Sequence, residues 1–243
     1  MSDLSSDYQI DVTGVVGRAY RGVIDNRAVL AELAWLPWLI IVGTSALAYI
    51  IGGGGAVGRV LAALVDGIGF LLFATTFLVR WHRFVLLGER DAASLFPAGW
   101  GDFLIAAVKL GVGFVVAFVV IGLFAALPPH ILTLPIAVAA SFAVAFVAVR
   151  IALVFPAAAL ARPLSFRAAW DLAAGNYWRL FGALLLCYVP FAIVASFIAT
   201  RSAGAGFVLW LVFEALRLAV TFIGLAVAAA ALSEAYSGLT RGR

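Results

Sequence analysis

The chain has 243 residues, of which 65% are hydrophobic and only 12% charged, with a mean hydropathy of +1.15. A soluble domain carries about 25% charged residues, so this composition excludes a water-soluble fold and names lipid as the solvent. The single cysteine excludes an internal disulfide framework, two histidines leave no all-histidine metal site, and the net charge of +4 is scattered beside apolar spans rather than gathered into a nucleic-acid-binding patch.

The acidic start MSDLSSDYQID is unlike a secretory leader, so the first span is expected to act as its own insertion signal, uncleaved. Next comes a helical stripe of Val12, Val15, Val16, Ala19, Tyr20, Val23 and Ile24, with Arg18, Arg21 and Asp25 off that face. This predicts an amphipathic helix in the membrane interface, with Asn26 capping the span that follows. Six segments are long and apolar enough to cross a hydrocarbon core of about 30 Å: 29–51, 58–87, 102–127, 131–161, 177–200 and 206–236. The breaks GGGG at 52–55, PPH at 128–130 and RSAGAG at 201–206 predict tight hairpins.

Orientation follows from arginine. Arg18, Arg21, Arg27, Arg80, Arg83, Arg90, Arg162, Arg167, Arg179, Arg241 and Arg243 fall on one side, and only Arg59 and Arg201 on the other. The positive-inside rule then sets both termini in the cytoplasm, and fifteen Arg to one Lys suits a GC-rich bacterial genome and its inner membrane. Trp81, Trp100, Trp170 and Trp178 lie on the same side, as an interfacial belt would, and His82 beside them is expected near headgroups.

In FRAAWDLAAGNYWRLFG, Pro163 is positioned to start a short helix whose Phe166, Ala169, Trp170 and Ala173 share one face. Arg167 and Asp171 are spaced to pair, Gly175 to stop the helix and Asn176 to cap the next. A shorter counterpart is DAASLFPAGWGDF, with Asp102 as its cap and Pro97 breaking its helix. Tyr20, Phe96 and Trp170 each stand six residues before Asn26, Asp102 and Asn176. The expected architecture is therefore a single all-α, polytopic membrane domain of three hairpins, each preceded by a cytoplasmic interfacial elbow. The repeats are 8–87, 91–161 and 163–237.

Catalytic signatures are missing: there is no HExxH and no phosphate-binding GxxxxGK[ST]. GTSA at 43–46 resembles the setting of an intramembrane serine nucleophile, but no histidine is placed to serve it, and Ser45 reads as helix packing. The Gly-rich 52–55 run, with no lysine after it, reads as a hairpin; His130 reads as solvated and Cys187 as a small buried hydrophobe.

The candidate site residues are the intramembrane charges, which are costly and normally face the protein interior. Counting 1.5 Å per residue sets Asp66 and Glu214 about 10 Å below the outer surface and Arg217 near the midplane. Glu32, Lys109 and Arg150 form an inner level. Each level is nearly balanced in sign, as ion pairs fixing helix order would be; a polar route for an ion or anionic substrate is the alternative.

VRIALVFPAAALARPLSFRAAWDLAAGNYWRLFG, from Val149 to Gly182, resembles a group of bacterial six-span proteins that includes the membrane domain attached to some glycerophosphodiester phosphodiesterases. AYSGLT, Ala235 to Thr240, fits the same likeness. No phosphodiesterase domain accompanies it, so the resemblance implies a non-catalytic membrane module without a cofactor. The acidic–basic signature that follows proline in mitochondrial carriers is absent after Pro37, Pro128, Pro163 and Pro190. The expected function is a structural or accessory subunit or lipid-associated module, whose partners are the bilayer and other subunits or further copies of the chain. A small transporter is the alternative, and a lipid-processing enzyme ranks last.

Overall fold

The computed structural model describes residues 9–125, 133–202 and 204–241. The turn at 128–130 with His130, Arg243 and the first eight residues lie outside them. Among the described residues nine helices follow one another: α1 (Val12–Asp25), α2 (Arg27–Gly52), α3 (Gly55–Leu87), α4 (Trp100–Ala125), α5 (Thr133–Ile151), α6 (Val154–Ala159), α7 (Phe166–Leu172), α8 (Tyr177–Ser202) and α9 (Phe207–Arg241). Six spans are long and apolar enough to cross a membrane, α5 and α6 together making the fourth.

The glycine run reverses the chain between α2 and α3, with Gly55 at φ +78°, and Gly204 at φ +78° serves the turn between α8 and α9. These two hairpins pack most extensively and lie against one another, with α1 laid across α9 and α8. Their shared core holds Leu33 and Ile41 of α2, Phe77 and Trp81 of α3, and Leu218 and Phe222 of α9, each at most 2% exposed. The Phe77 and Phe222 rings meet at 4.8 Å, and the Trp81 indole donates to the Ala226 carbonyl at 2.8 Å. Small residues permit the close approach that membrane helices depend on. A Cβ on Gly69 would collide with the Thr44 hydroxyl, and one on Gly224 would lie 2.7 Å from Phe191.

The end of the bundle that carries α1 and α7 differs from the sequence reading in several places. Arg80, Trp81 and His82, expected at the headgroup end of the second span, are instead at most 2% exposed within a 33-residue helix. The Arg80 guanidinium donates to the Ser94 carbonyl at 2.6 Å, and His82 Nδ1 shares a 2.7 Å hydrogen bond with the Ser233 hydroxyl. Trp81 and His82 are therefore core residues, not part of an interfacial belt. Pro163 does not open α7: Ser165 is its cap, accepting from the Ala168 amide at 3.1 Å. Arg167 and Asp171 are both exposed and do not figure among the ion pairs of the described residues.

The fourth span is broken. Pro156 has no N–H to offer the Ala152 carbonyl, and the Phe155 amide bonds there instead at 3.1 Å, separating α5 from α6. The loop before α4 closes on α6 through Gly99, whose φ of +83° and close approach to the Ala158 carbonyl, which any side chain would strike, admit only glycine. Arg83 ties the same place, donating to the Ala159 carbonyl at 3.0 Å.

Candidate functional site: a polar pocket among α2, α3 and α9

Four polar side chains converge in the half of the bundle nearer the Gly52–Gly55 turn. Ser45 on α2 donates to Asp66 Oδ1 on α3 at 2.5 Å. On α9, one helical turn brings Arg217 back over Glu214: Nε donates to Oε2 at 2.7 Å, and Nη2 bonds the other carboxylate oxygen. Glu214 is 7% exposed, so this two-pronged pair is what keeps its charge compatible with the interior. All four line one pocket of about 290 Å³, walled also by Tyr49 and Trp210, whose rings meet at 4.4 Å. Arg217 faces a second pocket of about 290 Å³ with Tyr188, Ser196 and Thr221. Asp66, Glu214 and Arg217 thus come together, with one more carboxylate than guanidinium. Ser45, read from sequence as packing, is a polar partner in this group.

The inner charges do not come together. Glu32 is exposed on α2 and Lys109 exposed on α4. Arg150, at the end of α5, lies 4.0 Å from the Trp170 ring and donates to the Trp170 carbonyl at 3.3 Å. The ion pairs among the described residues are Arg18–Glu234, Arg83–Glu89 and Arg217–Glu214, and none joins the three.

The elbow residues take different duties. Asn26 serves the end of α1, donating to the Gly22 carbonyl at 2.8 Å, and makes no side-chain cap for α2. Asp102 cannot be a cap because α4 already begins at Trp100; it lies in the first turn, where a carboxylate complements the helix dipole. Asn176 precedes α8 as expected, with its side-chain oxygen accepting from the Ile10 amide at 2.8 Å. Tyr20 donates to the Leu186 carbonyl at 3.1 Å, and burial holds its hydroxyl above the ordinary range, so it remains a donor. Phe96 is 57% exposed and rests on Trp100 at 4.5 Å; no helix precedes α4 as α1 precedes α2.

His82 lies buried in a later span, but it partners Ser233 rather than Ser45, so it gives the Ser45 hydroxyl no base. Among the described residues no three His, Cys, Asp or Glu side chains gather as a metal site would require. A periodicity argument could have found His82, since Ala74, Phe77 and Trp81 carry the inward face of α3 well past the length a bilayer needs.

No known protein family, no curated protein and no solved structure matches this chain. The fold itself defines the class: an all-helical, multi-pass integral membrane protein.

Proposed function

We propose that this protein is a lipid-associated membrane module or accessory subunit rather than a conduit, with both termini on the cytoplasmic face of the inner membrane. The observation that carries this reading is the course of the bundle interior beyond Arg217. Between Asp66 and Arg80 on α3 and between Arg217 and Ser233 on α9 come Phe77, Leu218 and Phe222, with Ile41 of α2, each at most 2% exposed. They set an apolar layer between the polar pocket and the buried Arg80, His82 and Ser233 of the opposite end. Charges that close on one another above such a layer fix helix order; an ion path needs polar partners along its whole length. The arginine-rich ends supply the orientation.

The transporter reading retains one supporting feature, that Arg217 borders two pockets at once. Flux measurement in proteoliposomes separates the two. The lipid-module reading expects proton and anion fluxes equal to those of protein-free vesicles, and Arg217→Ala to lower the yield of folded protein. A protein-dependent flux that Arg217→Ala abolishes while the fold persists would overturn it.

A further inference from the structure

Lys109 is the only lysine in the chain, and it stands where two pockets adjoin. Toward the α7 end lies a pocket of about 440 Å³ between α4, α6 and the segment leading into α7, with Asp102, Lys109, Pro163 and Ser165 in its wall. Deeper in the span lies a pocket of about 420 Å³ between α4 and α5, where Gly113, Ala117, Ala143 and Val147 leave only apolar surface beyond Lys109. Lys109 and Phe166 line both, so the two make one groove with a polar mouth and an apolar shaft. Each part falls within the roughly 300–1,000 Å³ of small-molecule sites.

The charges at the mouth are ordered. Lys109 is nine residues into α4, about 13 Å along the axis, and Asp102 is seven residues nearer the helix start, about 10 Å back. Helical side chains lean toward the N-terminus and lysine extends toward the interface, so a lysine at 109 can carry its ammonium back along the groove toward Asp102. Both residues are exposed, and no ion pair joins them. A cation set deeper, an anion set shallower and a hydrocarbon slot below form the complement of a zwitterionic phospholipid. Its phosphate lies deeper than its amine, and both lie above its acyl chains. The slot itself also needs an occupant with a chain. Small residues on facing helices normally let the backbones close, yet α4 and α5 meet far less than the helices of the other two hairpins.

We propose that this groove binds a zwitterionic phospholipid, one acyl chain between α4 and α5, its phosphate on Lys109 and its ammonium toward Asp102. This rests on the lipid-module reading and gives it a site.

The test uses the purified full-length chain in nanodiscs of phosphatidylcholine doped with a diazirine-bearing phosphatidylethanolamine or, separately, phosphatidylglycerol, with cross-links mapped by mass spectrometry. Labelling by the ethanolamine probe should concentrate on the groove residues Gly113, Ala117, Ala143 and Val147 over the outward Val112, Val115 and Val119. Lys109→Ala should lower groove labelling by both probes about five-fold, and Lys109→Arg should restore it. Asp102→Asn should lower ethanolamine labelling about two-fold and leave the glycerol probe unchanged or raised. Ala117→Trp, which fills the slot without touching charge, should suppress both, and thermal melting of each variant checks that the bundle remains intact.

Equal labelling of groove and outward faces would overturn the site, as would indifference to Lys109→Ala in a folded variant. Concentrated labelling elsewhere, for example on Phe70 and Leu225 in the apolar pocket beside α9, would overturn this groove while sustaining the lipid-module reading. Uniform labelling together with a protein-dependent flux would remove both.

Discussion

The first and third hairpins can be set against the middle one. Of the six spans, the one in α4 has the highest hydropathy, yet Phe103 is its only buried side chain among those described. Half of the equivalent window in α9 is buried, although that helix carries Glu214, Arg217, Ser233 and Glu234. In water the most apolar helix would be the most buried. In a bilayer the lipid tails are as apolar as leucine, so hydrophobicity records contact with lipid, while burial goes to small residues that pack and polar residues that bond. The polar bonds follow that rule: Trp38 to the Ala215 carbonyl, Trp81 to the Ala226 carbonyl and His82 to Ser233 all end on α9.

The largest expected break in the contrast is Trp81→Ala. It removes a fully buried indole and leaves the Ala226 carbonyl without its donor, and should cost about 4 kcal/mol of stability. Phe118→Ala in α4, where the ring is 57% exposed, should leave the melting temperature in detergent nearly unchanged. Equal losses at both positions would mean that the middle hairpin is as tightly built as the others. Arg217→Ala comes next, at about 3 kcal/mol, because it strands a buried Glu214 carboxylate. Arg217→Ala with Glu214→Gln should recover much of that loss. A double variant no more stable than the single one would show that the pair is not what Glu214 depends on.

The same contrast explains how much was readable in advance. Span number and the glycine-marked turns depend on bilayer thickness and local backbone freedom, which run along the chain, and so they could be read from it. Asp66, Glu214 and Arg217 could be selected because charges inside a span need a reason. That Ser45 would join them, and that Glu32, Lys109 and Arg150 would stay apart, depends on which helix lies beside which. The break at Pro156 was visible in principle, since the carbonyl four residues earlier had to lose its donor. Asn26 is ambiguous from sequence because a cap between two adjoining helices can serve either, and only its bond to the Gly22 carbonyl decides for α1.

Matched glycines sharpen the comparison at smaller cost. Gly69→Ala and Gly224→Ala each drive a methyl into a neighbour less than 3 Å away and should cost about 1–3 kcal/mol. In α4, a Cβ on Gly111 meets nothing within 4 Å, so Gly111→Ala should be neutral or stabilise by up to about 1 kcal/mol through helix propensity. Thermal melts of the three variants decide the point. A loss at Gly111 equal to that at Gly69 would place α4 inside the packed core.

The smallest effect concerns α1, which precedes the first hairpin as the shorter α7 precedes the third, while no such helix precedes α4. Asp11 caps it, accepting from the Gly14 amide at 3.1 Å and the Thr13 hydroxyl at 2.9 Å, and these bonds hold its carboxyl below the ordinary value of 3.8. A carboxyl lowered in the folded state contributes its full stabilisation above the pKa of the unfolded chain and loses it as pH falls through the folded value. The melting gap between the native chain and Asp11→Ala should therefore be widest near neutrality and narrow progressively as the pH falls below 3.8. Protease accessibility of α1 should rise over the same interval while that of α4 and α5 does not follow. A gap that stays constant with pH would assign the stabilisation to helix propensity at position 11 rather than to the ionised cap.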